Sequence, residues 1–213
     1  MTTYYWDEFV GRFRDERGRF VSRDVVLNFV NKSLEISSNA VDVLSSHVFS
    51  GTISSVDWYS AMQQEIKDEY IRQYLSFIGG RNMMTPSDWG KIGAMLREQY
   101  GYLKGFRSAI ETEELTEKQI AARARMYINS AREAREEARA RSAAKAGFDE
   151  VYWITTAKES CEDCIKYTKM GWVMVADDPY KGAKPGSGHT ICLTACQCIL
   201  NYRNSKTGEE YAY

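Results

Sequence analysis

Apolar residues recur at helical spacing over the first 147 positions, and short β-branched and aromatic runs follow. Asp24 can cap a helix running to about Ser50, with Val26, Phe29, Val30, Leu34, Val41, Leu44 and Val48 on its apolar face and Gly51 at its end. The polar stretch from Glu35 to Asn39 is its weak point. A second helix starts at Ser54 or Ser55. It repeats Trp58, Met62, Ile66, Tyr70, Tyr74 and Ile78, and Gly79 stops it. A third opens on Thr85-Pro86 with Asp88 near the positive end of the dipole, then carries Trp89, Ile92, Leu96, Tyr100, Leu103, Phe106 and Ile110. Gly93, Gly101 and Gly105 inside it each cost about 1 kcal/mol of helix propensity, so they mark either close packing or a kink. Thr116 and Gln119 form a capping box for a fourth helix that continues to Ala146. Its seam of Ile120, Ala124, Tyr127, Ala131, Ala134 and Ala138 is small and narrow, suited to close approach by another helix.

Ahead of these helices, Phe13–Phe20 reads as two short extended arms around a turn at Gly18, in either a solvated or a partner-docking arm. After Gly147 the pattern predicts strands over 151–156 and 171–175, a loop over 177–188, and a third strand over 199–202. The predicted organisation is an arm (1–23), a helical domain (24–147) and a cysteine-rich module (148–213). The fold class is mainly α: a bundle of about four helices followed by a small zinc-stabilised α+β module.

Charge changes this picture in one place. The chain has 28 basic and 29 acidic residues, a formal net charge of −1. That balance hides a stripe from Lys118 to Lys145 with eight basic and three acidic residues (8 − 3 = +5). Arg123, Arg125, Arg132, Arg135, Arg139 and Arg141 on it are candidates for a nucleic-acid or acidic-partner surface. The alternative is a solvated helix laced with pairs such as Arg132–Glu136. No run approaches the ~18 apolar residues of a membrane span. The first residues lack the basic start and apolar run of a signal peptide, so the expectation is folding in a reducing cytoplasm, without membrane association.

All five cysteines lie after residue 160, spaced Cys161-x2-Cys164, then Cys192-x3-Cys196-x-Cys198. In a reducing compartment such a cluster reads as metal ligands. Zinc takes four thiolates in a tetrahedron, and a module of this size gains its missing stability from the ion. Cys161 and Cys164 are the firmest ligands; Cys192, Cys196 and Cys198 compete for the other two places. His189 has workable spacing to Cys192 and otherwise reads as a polar loop residue. Disulfides fit poorly with an odd count. A thioredoxin-like pair is disfavoured by Glu162 and Asp163 between the thiols. A cysteine nucleophile needs a histidine base, and with His47 on a helix far away only His189 is available. No glutamate-plus-histidine motif of a catalytic zinc is present. The residues therefore point away from an enzyme.

The order of Tyr152-Trp153, Cys161-x2-Cys164, Met170-Gly171, the Pro185–Gly188 loop and Cys196-x-Cys198 followed by Ile199-Leu200 resembles the C-terminal domain of phage minor head proteins. These are the Mu F-like and SPP1-type head morphogenesis family. Arg14–Val21 resembles a short stretch near the start of some phage head proteins. The likeness covers about 50 residues closely and the rest in general helical character. It departs at one ligand: the family's histidine falls at Leu193, with Cys192 beside it and His189 further back. The resemblance implies a minor capsid protein that joins the procapsid in few copies and associates with the portal or major capsid protein. In some members it implies DNA binding. It further implies residence in the virion after synthesis in the host cytoplasm, and no catalysis.

Overall fold

The computed structural model describes residues 4–7, 10–156 and 158–211. Among these the chain is mainly helical, with two small antiparallel sheets and a C-terminal cysteine cluster. Strands β1 (Tyr4–Asp7), β2 (Arg12–Asp15) and β3 (Phe20–Val21) form the first sheet, in the order β1-β2-β3. Gly18, at φ 75, makes the β2–β3 turn that the sequence placed there. The arm does more than extend. Trp6 and Phe13 are paired across β1 and β2 and are both buried. Phe13 stands edge-on to Phe77, and Trp6 lies 5.0 Å from the ring of Tyr211 near the far end of the chain. This aromatic joint ties the arm to the helices and to the last described residues.

Five helices follow: α1 (Arg23–Phe49), α2 (Ser55–Ile78), α3 (Pro86–Thr112), α4 (Glu117–Asn129) and α5 (Ala131–Lys145). Helix α2 is the centre; it packs on α1, α3 and α5, while α4 lies along α1. All six of its predicted periodic residues are buried. Helix α1 is capped by Ser22 rather than Asp24, which sits in its first turn. Its polar middle does not break. Ser33 donates to the buried Glu69 carboxylate at 2.5 Å and Ser37 at 3.2 Å, so the weak stretch is a hydrogen-bonded contact with α2. Arg72 and Gln73 complete that network.

The capping box expected at Thr116/Gln119 forms, and Thr85 with Asp88 makes a second one at the start of α3. The predicted fourth helix is two, broken at Ser130. The buried Ser130 hydroxyl donates back to the Tyr127 carbonyl at 2.7 Å and accepts from the Tyr70 hydroxyl at 2.8 Å. A serine bonding into its own helix while held from α2 bends the axis. The small-residue seam is buried across both halves.

Gly93, Gly101 and Gly105 neither interrupt α3 nor admit a neighbour. The helix is continuous, and a Cβ added at Gly93, Gly101 or Gly105 meets nothing within 4 Å. Replacing all three with alanine should therefore stabilise the protein by about 0.5–1 kcal/mol per site. Thermal unfolding of the triple variant checks this, and a lowered melting temperature would show that these positions touch something.

Candidate metal centre

The second sheet supports the cysteines. Strands β4 (Glu150–Ile154), β5 (Val173–Met174) and β6 (Ile199–Arg203) lie antiparallel in the order β5-β4-β6, with Trp153 opposite Leu200. Trp153 is fully buried, 4.9 Å from the ring of Tyr167 and 5.2 Å from that of Tyr180. These contacts seat helix α6 (Glu162–Lys169) and the loop after β5 against the sheet. Helix α6 escaped the sequence reading, although its signals are present: Glu162 and Asp163 in the first turn, Lys166 and Lys169 in the last.

Cys161 is the N-cap of α6, and Cys164 sits one turn in. The pair thus opens a helix after a strand, as a redox Cys-x2-Cys pair does. The difference is that three more thiols converge on it. The Sγ atoms of Cys161 and Cys192 lie 3.5 Å apart, those of Cys164 and Cys192 3.8 Å, and those of Cys164 and Cys196 3.7 Å. A tetrahedron of ~2.3 Å zinc–sulfur bonds has sulfur–sulfur edges of about 3.8 Å. Two sulfurs in van der Waals contact stand at a similar distance, so each spacing alone says little. The convergence of five thiols, none in a disulfide, carries the argument. Cys161, Cys164 and Cys192 form one group, and Cys164, Cys196 and Cys198 a second, with all sulfurs of a group within 4.8 Å of one another. Cys164 belongs to both. This cluster can hold a metal ion.

The loop that brings in the later cysteines is fixed at three points. The Asp163 carboxylate accepts the Ile191 N–H at 2.9 Å, which ties the loop to the start of α6. Leu193, at φ 50, turns the chain into a short 3₁₀ segment (Leu193–Ala195) packed against α4. Gly186, at φ 84, lies so close to α5 that a Cβ there would stand 2.7 Å from the Arg132 Cβ.

Electrostatics set the protonation of the cluster. Burial pushes the Cys164 thiol well above its ordinary value, and the hydrogen bond with Cys161 adds to the rise. Cys196 is raised by its hydrogen bond with Cys198 and then by burial. Cys192 is pushed up to about 11, mainly by burial. Burial opposes ionisation of Cys161 too, but the backbone N–H groups of Cys164 and Cys192 outweigh it and lower that thiol. Crowded thiols resist becoming thiolates together unless a cation sits among them, and that is the chemistry a divalent metal supplies. His189 is not part of either group. It is exposed, and its Nδ1 lies 3.0 Å from the Ser187 hydroxyl.

Part of the basic stripe is internal. Arg135 and Arg139 are buried and share the fully buried Glu136 carboxylate, at 3.1 Å and 2.7 Å. Arg139 also donates to the Leu200 carbonyl, and the Leu200 N–H donates to Glu136 at 3.2 Å. These residues clamp β6, the strand that begins just after Cys198, onto α5. Arg141 pairs with Asp88, and Arg132 bonds Asn129 at 2.9 Å. Arg125 reaches Asp42 at 2.9 Å, and Arg123 lies over the Phe106 ring. Only Arg123 and Arg125 of the six are exposed. An arginine-rich helix was legible in the sequence; the buried acid that turns two of its arginines inward was not.

Glu136→Ala leaves two buried guanidiniums without their carboxylate, which should cost about 3–5 kcal/mol in urea unfolding. A loss below 1 kcal/mol would mean that β6 is held by other contacts. No protein-family model, curated protein or solved structure matches the chain, so its geometry is the basis for what the site does.

Proposed function

We propose that this chain is a bacteriophage minor capsid protein of the head morphogenesis type, acting in virion assembly at the portal or the inner capsid, with one structural zinc in its cysteine cluster. The observation that carries the reading is the convergence of Cys161-x2-Cys164 with the Cys192–Cys198 segment, in the chain order of the resembling head proteins. Thiolates are soft ligands that favour zinc among abundant divalent ions. The sulfur contacts at 3.5–3.8 Å link Cys161, Cys192, Cys164 and Cys196, so these four are the proposed ligands and Cys198 the spare. The ion closes the loop onto α6 and fixes the module; no catalytic role is assigned to it. Portal or major capsid protein is the proposed partner, with several copies in one assembly and residence in the phage head.

The second reading is nucleic-acid binding through the helix from Lys118 to Lys145. The exposed Arg123 and Arg125 favour it. The burial of Arg135 and Arg139 weighs against it, because groups held in the core do not reach phosphates.

Protein purified under reducing conditions should contain about one zinc per chain by mass spectrometry. Cys198→Ser should keep the ion, while Cys161→Ser and Cys192→Ser should lose it. In infected-cell lysates the chain should sediment with portal-containing procapsids. Its absence from both procapsids and finished particles would refute the assembly role, whatever the metal content.

A further inference from the structure

The cysteine cluster holds one more thiol than a tetrahedral ion uses. Cys161, Cys164 and Cys192 form one three-sulfur group and Cys164, Cys196 and Cys198 a second, with Cys164 in both. Each group is made of sulfur alone; among the described residues neither contains an imidazole or a carboxylate. The nearest acid in sequence, Asp163, is occupied by the Ile191 N–H at 2.9 Å. The two groups differ in setting. Cys161 and Cys192 are partly exposed, whereas Cys164, Cys196 and Cys198 are buried. Cys198 is not turned away from the others: its thiol is hydrogen-bonded with those of Cys164 and Cys196. A single zinc on Cys161, Cys164, Cys192 and Cys196 therefore leaves a fifth sulfur in contact with two of its ligands.

Two three-coordinate ions need six sulfur bonds, and five thiols supply them when one sulfur bridges. That is the number and the connectivity present here, with Cys164 as the shared corner. Zinc favours four ligands and does not suit two such triangles. Copper(I) is a soft ion that thiolates select, and three of them satisfy it. We infer that the cluster also takes a pair of copper(I) ions, one in each three-sulfur group, bridged by Cys164 and displacing the zinc. This inference rests on the reading of the cluster as a sulfur metal centre and not on the head-assembly role. The exchange is balanced without electron transfer. Two copper(I) ions enter, one zinc(II) ion leaves, and the Cys198 thiol gives its proton to solvent as it becomes the fifth thiolate. The copper arrives already reduced.

Competition titration of the zinc-loaded full chain tests this. Under exclusion of oxygen, the copper(I) acetonitrile complex is added in the presence of bicinchoninate, a coloured copper(I) chelator that masks weak sites, and released zinc is read in parallel. Wild-type protein should take two copper(I) ions per chain and release its one zinc. Cys198→Ser keeps the four proposed zinc ligands, so it should load zinc as wild type but take no more than one copper(I). His189→Ala, outside both groups, should match wild type in both counts. The inference fails if wild type takes any number of copper(I) ions other than two, if Cys198→Ser takes two, or if His189→Ala takes fewer than wild type. Failure with one zinc per chain leaves the zinc centre standing. A folded chain that takes two copper(I) ions but carries no zinc when purified under reductant overturns the zinc assignment and leaves the copper pair standing.

Discussion

Glu136 sits fully buried on α5 and has to satisfy two guanidiniums and a backbone N–H at once. A lone carboxylate in the interior would be strongly unfavourable, and so would either arginine without it. Together they form a network that also captures the carbonyl and N–H of Leu200. The consequence is geometric. Strand β6 is fixed to the helical bundle at the point where the chain leaves the cysteine segment. Strand β4 pairs along β6, α6 packs on β4 through Trp153 and Tyr167, and Cys161 and Cys164 ride on α6. The cysteines of both segments are therefore placed by one buried acid and the sheet it anchors.

A metal ion held by the cysteine cluster would close what the sheet leaves open. The segment from Lys184 to Gln197 has little regular structure, and its fixed points are few: Asp163 to Ile191, the turn at Leu193 and the contact at Gly186. Burial holds the thiols of Cys164 and Cys192 above their ordinary value, and the hydrogen bond with Cys198, then burial, does the same for Cys196. An ion among them would stabilise the thiolates together and join the loop to the start of α6. Helix, strand and loop would then be joined as one unit.

Much of this was legible in the residues. The spacing of Trp58 through Ile78 marked the buried face of α2 because that helix is covered along its length. Thr85 and Thr116 announced helix starts because an N-cap is a local device. Cys161-x2-Cys164 with a later cysteine segment marked the cluster. What escaped depends on contacts between distant parts of the chain. Ser130 breaks a helix only because Tyr70 holds its hydroxyl. The stretch around Ser33 and Ser37 stays helical because Glu69 lies opposite. The arm reads as two extended pieces, solvated or partner-docking, yet Trp6 and Phe13 are buried because Phe77 and Tyr211 meet them. Helix α6 is short, and its sequence is polar enough to pass for loop. Arg135 and Arg139 look like surface charge until Glu136 is seen to share their side of α5.

The central claim is that a metal ion bound by cysteine sulfur fixes the C-terminal module on the helical bundle. Zinc-edge X-ray absorption on the purified full chain, prepared under reductant, tests it most directly. The account predicts a single shell of four sulfurs at about 2.3 Å. A shell with nitrogen or oxygen ligands in place of sulfur, or no zinc in a folded protein, would contradict it.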